Sequence, residues 1–173
     1  MQTTLIYASP LGQLMVTSDG ASLTQVDLMT GHNAARPSQK KDKLPKILEQ
    51  ARDWFDSYFA GEVPPPPPSL APVGTAFRQE VWEILRAIPY GQITTYGEIA
   101  RQIEKKKKLE RMSAQAVGGA VGHNPLLILI PCHRVVGANG NLTGFASGMD
   151  VKVKLLSLEK HDMNQFTMPK GKN

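Results

Sequence analysis

The sequence contains a single cysteine, Cys132, among 173 residues. One thiol cannot form an internal disulfide, and no Cys-x-x-Cys or His-x-x-x-His spacing offers a zinc site, so we expect neither a metal nor a cofactor. No apolar run approaches the roughly 20 residues that span a bilayer. The first residues, MQTTLIYASPLG, also lack the basic start and the apolar stretch of a signal peptide. We therefore expect no membrane association and a cytoplasmic location.

The net charge of +5 is distributed unevenly along the chain. Residues 75–160 carry twelve Lys or Arg against seven Asp or Glu, whereas residues 1–74 carry six against seven. A basic half joined to a neutral half is the pattern expected when one part of a protein meets a polyanion. Basic surfaces also occur without that role, so charge alone leaves both alternatives open.

The first 62 residues predict a small domain of sheet and helix. Hairpin signals in the first 28 residues indicate an antiparallel meander, with turns at Pro10–Gly12 and Asp19–Gly20. From Leu44 to Ala60 apolar residues recur at helical spacing, and Gly61 follows as a C-terminal stop signal. We expect this helix to cover one face of the sheet.

Five consecutive prolines follow in EVPPPPPSLAPVG. Proline cannot donate a backbone hydrogen bond and favours an extended polyproline conformation, which predicts a linker at residues 63–73. The alternative is a ligand for an aromatic groove on a partner protein.

Residues 74–160 predict a second, mostly helical domain, followed by a flexible tail at 161–173. Apolar residues from Phe77 to Ile88 mark a first helix. Thr95 and Glu98 are placed as a capping box for a second helix in TTYGEIARQI, and Ser113 is placed to cap a third in SAQAVGGAVG. Because the polar connector EKKKKLERM joins the last two helices, the pattern predicts a helix-turn-helix.

The third of these helices contains three glycines, Gly118, Gly119 and Gly122. Each costs a helix up to about 1 kcal/mol relative to alanine, so a close approach of the backbone to something else should compensate. The neighbour could be another part of the protein or the wall of a DNA groove. Farther along, LLILIP predicts a buried strand, GANG a turn, and DVKVKLLSLEKH a last helix.

Cys132 is adjacent to His133 in the segment IPCHRVV. Free cysteine is among the most buried residue types, so an inert core thiol is the alternative to a nucleophile. His133 can accept a proton at neutral pH, although neighbours in an extended chain point to opposite faces, and contact would need a bend or a bridging water. Glu159 could orient the imidazole in a Cys/His/Glu relay, or could simply be solvated.

Four segments together resemble the O6-alkylguanine-DNA alkyltransferases: GTAFRQEVWEILRAIPYGQITTYGEIA, SAQAVGGAVGHNP, ILIPCHRVV and GFASGMDVKVKLLSLE. They cover residues 74–159 nearly continuously. The resemblance implies an α+β fold, with a small ribonuclease-H-like N-terminal sheet and helix linked to a helical, winged-helix-like DNA-binding domain. It also implies a monomer that flips a damaged guanine out of duplex DNA and takes the alkyl group onto its own cysteine, with O4-alkylthymine as a further substrate.

The resemblance assigns chemical roles to particular residues. Cys132 would accept the alkyl group, His133 would take the thiol proton through a water, and Glu159 would hold His133. Further residues would order the site or bind the base: Asn124 in the cysteine turn, Tyr96 as a donor to the purine, the Ala146 N–H to O6, the carbonyls of Cys132 and Val135 to the exocyclic amine, Phe145 stacked on the base, and Ser147 beside it.

DNA contacts are likewise implied for a set of residues on and near the third helix: Thr95, Ser113, Ala114, Gln115, Ala116, Gly118, Gly119 and Arg134. Gln115 occupies the position where many members carry an arginine that fills the gap left by the flipped base. The segment Phe145-Ala146-Ser147 also departs from the usual Tyr-Ala-Gly. The four lysines of the connector could add phosphate contacts or form a solvated loop.

Other readings of the same residues stay open. A cysteine hydrolase would use the Cys132–His133 pair on an acyl group and would turn over. A non-catalytic relative that only binds damaged DNA would lack the acceptor cysteine, which this chain has. A transcription regulator would need base-reading side chains on the third helix, where SAQAVGGAVG supplies only Gln115.

Overall fold

The computed structural model describes residues 2–30 and 43–168 and divides the chain into two compact units. The first comprises Met1–Val73 with Pro125–Leu129, and the second comprises Gly74–Asn124 with Ile130–Asn173. The predicted linker at 63–73 therefore falls inside the first unit. Residues 125–129, which the sequence placed in the second domain, also belong to the first. Within the described ranges, no helix is long and apolar enough to cross a membrane.

The first unit contains the predicted meander. Strands β1 (Thr3–Ser9), β2 (Gly12–Ser18) and β3 (Leu23–Leu28) form an antiparallel sheet in chain order, and Tyr7 lies opposite Leu14. Leu14 and Val16 of the central strand are fully buried. Because alternate residues of a strand face opposite sides, these two place the core on one face of the sheet.

Helix α1 (Lys46–Phe59) contacts β1 and β2 in the first unit, as predicted. Tyr7 joins sheet and helix, since its hydroxyl donates to Asp56 at 2.6 Å and its ring lies 5.3 Å from that of Phe55. The proline stretch is fixed to the same helix because Trp54 Nε1 donates to the Pro65 carbonyl at 2.8 Å. The stretch is thus a packed segment of the first unit.

The second unit supplies the helices and a short parallel sheet. In its described residues these are α2 (Ala76–Arg86), β4 (Thr94–Thr95), α3 (Tyr96–Lys107), α4 (Ala114–Gly122), β5 (Val135–Val136) and α5 (Met149–Leu158). Together with the sheet and helix of the first unit, these elements confirm the predicted α+β class.

The pair α3–α4 is the predicted helix-turn-helix, and α2 packs against it. Trp82 of α2 is almost fully buried and its Nε1 donates to the Ala120 carbonyl at 2.9 Å. Val117, Ala120 and Val121 of α4 are buried too, whereas Gly119 is exposed. The predicted caps are present, since Thr95 accepts from the Glu98 N–H at 3.1 Å and Ser113 from the Ala116 N–H at 3.3 Å.

Helix α3 has the predicted capping box, because the Glu98 carboxylate accepts a backbone hydrogen bond from Thr95 and also a bond from the Thr94 hydroxyl at 2.7 Å. One other prediction for α3 needs correction. The first four residues of the predicted connector, 104–107, are helical, because α3 continues to Lys107 and ends at Lys108 in a left-handed conformation. Lysine has a high helix propensity and favours a helix C-terminus, which explains the longer helix.

The predicted strand LLILIP is wrong, although its burial is right. Residues 126–130 are all buried but form turns, and Ile128 has a φ of 72°. The Leu129 N–H donates to the Leu127 carbonyl at 2.9 Å, whereas the Leu127 N–H donates to the Val26 carbonyl at 3.3 Å. Only Leu126 pairs with a strand, in a single bridge to Val26 of β3. An apolar run in a sequence predicts that its residues are buried, but it does not distinguish a strand from a buried turn.

The described part of the predicted tail, residues 161–168, is packed. A single 3-10 turn spans Met163–Gln165, and Thr167 pairs with Asn141. Met163 and Phe166 pack against a small core of Val136, Leu142 and Leu156, which gives this segment an apolar anchor. Residues 169–173 lie outside the described part of the chain.

Candidate active site

Cys132 begins a 3-10 turn, Cys132–Arg134, directly after Pro131. Its backbone N–H donates to the Ile130 carbonyl at 2.8 Å, and Asn124 Nδ2 donates to the same carbonyl at 2.7 Å. The side chain is buried, and burial raises the pKa of the thiol. A hydrogen bond from Asn124, the charge of Lys152 and nearby backbone N–H groups act in the opposite direction. The resting site therefore holds a neutral thiol surrounded by groups that favour a thiolate.

His133 and Glu159 form a buried pair in the same unit. His133 Nε2 hydrogen-bonds to Glu159 Oε2, and neither side chain is exposed. Burial lowers the pKa of His133, and the hydrogen bond and charge of Glu159 only partly offset this effect. With Nε2–H donating to the carboxylate, Nδ1 is the basic nitrogen. It is buried and has no hydrogen-bond partner among the described residues, so it is available to accept a proton.

Arg134 binds the other oxygen of the same carboxylate. Its Nε donates to Glu159 Oε1 at 2.7 Å, while its Nη1 donates to the Ile88 carbonyl at 2.7 Å. Burial acts to raise the pKa of Glu159, but the hydrogen bonds and charges of His133 and Arg134 outweigh it and hold the pKa at about 2. Glu159 is thus an ionised buried carboxylate near neutral pH.

This geometry corrects the DNA-binding role predicted for Arg134. Its side chain is 9% exposed, and its Nε and Nη1 are hydrogen-bonded to Glu159 and to the Ile88 carbonyl. Its guanidinium also lies 5.9 Å from the centre of the Tyr90 ring. A guanidinium enclosed in this way orders the site and is not presented to a phosphate.

Lys152 is a site residue that the sequence reasoning missed. Its side chain on α5 is fully buried, and Nζ donates to the Val135 carbonyl at 2.6 Å and to the Thr143 carbonyl at 3.4 Å. Burial lowers its pKa to about 8, although the Cys132 thiolate would raise it. A signal was present in DVKVKLLSLE, where Lys152 shares a helical face with Leu155, Leu156 and Glu159.

The loop before α5 brings together several residues predicted to bind the base. Tyr96 donates its hydroxyl to the Thr143 carbonyl at 3.4 Å, and the Phe145 ring lies 5.8 Å from Lys152 Nζ. The Gly148 N–H donates to the Phe145 carbonyl at 2.9 Å, which closes a turn around Ala146 and Ser147. Ala146 is exposed in this turn, and Ser147 is half-buried.

The carbonyl of Val135, predicted to read the exocyclic amine, already accepts from Lys152. A carbonyl oxygen has a second lone pair, so this contact does not prevent another donor from binding. Burial raises the pKa of the Tyr96 hydroxyl, and the charge of a Cys132 thiolate adds to that effect. The hydroxyl is therefore a hydrogen-bond donor at neutral pH.

Helix α4 and its N-terminus form a separate exposed surface of small side chains. Its exposed residues are Ser113, Ala114, Gln115, Ala116, Gly119 and Gly122. Gly118 is half-buried, with Tyr96 as its nearest neighbour, whereas a Cβ at Gly119 or Gly122 would meet nothing within 4 Å. Thr95 is half-buried at the cap of α3. The exposed glycines thus do not serve packing within the described chain.

Comparison with known proteins connects both units to one family. Residues 76–161 match the family described as 6-O-methylguanine DNA methyltransferase, DNA binding domain, and residues 4–65 match its ribonuclease-like domain. A methylated-DNA--protein-cysteine methyltransferase of Haemophilus influenzae is 46% identical over 160 residues, covering 89% of this chain and 84% of the relative. One of Methanosarcina acetivorans is 42% identical, covering 89% of this chain and 96% of the relative.

Solved structures show the same similarity. Mycobacterium tuberculosis OGT in complex with DNA is 37% identical and has a TM-score of 0.74, covering 95% of this chain and 94% of that chain. The Mycobacterium tuberculosis O6-methylguanine methyltransferase is 38% identical with a TM-score of 0.73, covering 92% and 93%. By sequence along nearly its whole length and by the fold of both units, the chain belongs to the O6-methylguanine DNA methyltransferase family.

Proposed function

We propose that this protein repairs DNA by transferring the alkyl group of O6-alkylguanine to its own Cys132. The sulfur attacks the alkyl carbon, an S–C bond forms, and the C–O6 bond breaks with its electron pair leaving on guanine. The thiol proton is replaced by the alkyl group and guanine gains one proton, so the step needs no cofactor. A thioether is not hydrolysed, and each molecule therefore reacts once.

The arrangement of Cys132, His133 and Glu159 is the observation that supports this proposal best. A buried thiol must lose its proton before it can attack, and the free Nδ1 of His133 is a base in the same enclosed site. Glu159 then stabilises the imidazolium that forms, because it is ionised and bound to Nε2. We assign proton transfer from Cys132 to His133 to a bridging water.

Lys152 adds the charge that the thiolate needs. The buried charged side chains of the described residues are Arg134, Lys152 and Glu159. Arg134 and Glu159 form an ion pair, whereas Lys152 bonds only to carbonyls, which leaves one unpaired positive charge. A thiolate at Cys132 would balance that charge in a medium where Coulomb interactions are strong. We infer that Lys152 stabilises the thiolate.

The base must leave the DNA duplex to reach this site, because only 6% of Cys132 is exposed. We assign Phe145 to stacking on the extruded base and Tyr96 to donation toward the purine. The Ala146 N–H is assigned to O6, the carbonyls of Cys132 and Val135 to the exocyclic amine, and Ser147 to the edge of the pocket. Asn124 keeps the turn of Cys132 in place. The same pocket would take O4-alkylthymine.

The exposed face of α4 is the proposed DNA surface. Its small side chains let the helix backbone approach the wall of a minor groove, and Gln115 is the longest side chain available to occupy the space of a flipped base. Thr95, Ser113, Ala114, Ala116 and Gly118 complete this surface. DNA as a partner and a reduced thiol as reactant both fit the cytoplasm, where we place the protein as a monomer.

Mixing the protein with duplex DNA that carries O6-methylguanine should leave one methyl group per molecule on Cys132. Intact-mass and peptide analysis measure this adduct, and Cys132→Ala should form none. Binding of damaged DNA without an adduct would favour a non-catalytic damage-binding protein. Repeated turnover of an ester substrate would favour a cysteine hydrolase.

Lys152→Met should slow methyl transfer by about tenfold or more, because a loss of thiolate stabilisation worth one pKa unit corresponds to a factor of ten. The single-turnover rate with saturating duplex measures this, together with a titration of thiolate absorbance. Lys154→Met is the matched control, since Lys154 lies exposed on the same helix. Equal rates for the two variants would rule out the electrostatic role.

Glu159→Gln should lower the free energy of unfolding by about 3 kcal/mol at neutral pH, since it breaks a buried ion pair. Because the folded pKa of Glu159 is depressed to about 2, its stabilisation is present above the ordinary carboxyl pKa and is lost as the pH falls toward 2. Denaturant titrations at several pH values should therefore show the difference between wild type and variant shrinking in acid. A difference independent of pH would contradict an ionised Glu159.

Gly119→Ala should change the stability of the protein and its affinity for DNA in opposite directions. Alanine is preferred over glycine in a helix by roughly 0.5–1 kcal/mol, and a Cβ at this position meets open space, so the free energy of unfolding should rise. Affinity for duplex DNA should fall, because the added methyl holds the helix backbone away from the groove. Increased stability with unchanged DNA affinity would show that this face does not approach DNA.

A further inference from the structure

The last two turns of α3 and the loop after it carry an unusual concentration of positive charge. Residues 101–111 contain six Lys or Arg and two Asp or Glu, a net charge of +4. Arg101, Lys105, Lys108 and Arg111 are all exposed, and we call this set the basic stripe. Arg101 and Lys105 are four residues apart and share one face of α3, and Lys108 is the left-handed residue at which the helix ends.

Within α3, Arg101 and Lys105 lie on the side of the helix that faces away from the core. Ile99, Ala100 and Ile103 form the buried side. The neighbouring lysines point elsewhere, because each step along a helix rotates the side chain by about 100°. Lys107 lies toward the core side and pairs with Glu80 of α2 at 2.7 Å. Lys106 is exposed on the opposite flank from the stripe.

No member of the stripe takes part in a salt bridge within the described residues. Helix α3 has two acidic residues: the charge of Arg101 helps to lower the pKa of Glu98, and Glu104 uses one oxygen to accept the Met112 N–H at 2.7 Å. Lysines at a helix C-terminus are favoured by the helix dipole, but the dipole acts on every face alike. It therefore does not explain why the unpaired charges align.

The stripe borders the start of α4. A cavity of about 610 Å³ opens between the two helices, and its lining includes Arg101, Arg111, Ser113 and Ala114. The bond from Met112 to Glu104 holds the loop against α3, which keeps Arg111 beside the rest of the stripe. Both arginines thus lie at the edge of the surface that α4 presents.

We propose that the basic stripe is a second DNA-binding surface, which contacts the phosphates of one strand next to the segment bound by α4. This inference rests on the proposed function, which supplies duplex DNA as the partner. A rise of 1.5 Å per residue separates Arg101 from Lys105 by about 6 Å along the helix, and long flexible side chains can adapt that spacing to successive phosphates. Phosphate contacts of this kind bind without reading sequence.

The test is the salt dependence of binding to an undamaged duplex by the full-length protein. Removing one phosphate-binding charge should reduce the slope of log K against log salt by about 0.9. The triple variant Arg101→Gln, Lys105→Gln, Lys108→Gln removes three such charges. The wild type should therefore weaken about 40-fold more than the variant when salt rises from about 50 to 200 mM. Fluorescence anisotropy of a labelled duplex measures both slopes.

Lys106→Gln removes the same charge from the opposite flank and should keep the wild-type slope. Lys105→Arg with Lys108→Arg retains the charges and should keep it as well, which separates charge from helix propensity. Equal slopes for the triple variant and for Lys106→Gln would overturn the proposal. Reaction of the wild type with O6-benzylguanine as a free base, which has no phosphates, checks the proposed function independently. A wild type that reacts with the base but shows equal slopes refutes the stripe alone.

Discussion

The carboxylate of Glu159 is shared by two side chains that leave the backbone at neighbouring positions. His133 takes one oxygen and Arg134 takes the other, and all three groups are buried. Burial acts to raise the pKa of the carboxyl, and the hydrogen bonds and charges of His133 and Arg134 together keep it ionised. A charged Glu159 in turn selects the tautomer of His133 and leaves Nδ1 as the base. In the proposed mechanism, the choice of Nδ1 as the proton acceptor thus depends on a carboxylate that its buried partners keep ionised.

Burial also strengthens the interaction between the charge of Lys152 and a thiolate at Cys132. The protein keeps Lys152 in its interior at a cost that is offset only in part by two carbonyl acceptors. A fold retains a buried charge at such a cost when the charge has a function. In the proposed mechanism, the charge of Lys152 balances a transient thiolate at Cys132. In the proposed mechanism the resting thiol of Cys132 is neutral, and Asn124 and Lys152 reduce the cost of forming its thiolate.

Much of the architecture could be predicted from periodicity and turn chemistry. The meander, α1 and the capped helices α3 and α4 followed from signals that act within a few residues, such as Thr95 and Ser113. The turn at residues 126–130 could not be predicted in this way, because an apolar run specifies burial and not backbone path. The length of α3 was missed because a lysine run was taken as a loop, although lysine favours helix.

Part of the candidate active site could also be predicted from the sequence. A resemblance of motifs named Cys132, His133 and Glu159, and the structure brings His133 and Glu159 into contact. Arg134 was placed on the DNA because an arginine in sequence shows charge and not burial. Lys152 was overlooked because its significance depends on which groups surround it in space. The wrong role of Arg134 and the omission of Lys152 both concern ionised side chains whose partners lie on other segments of the chain.

The five residues Pro125–Leu129 belong to the first unit, yet the chain on either side of them belongs to the second. Val26 of β3 accepts one backbone bond from this segment and donates another to it. The chain therefore crosses between its units three times, and the two cannot be separated by a single cut. A fragment beginning at residue 74 would carry the apolar segment without the strand that pairs with it. A fragment of that kind is thus a poor candidate for independent folding.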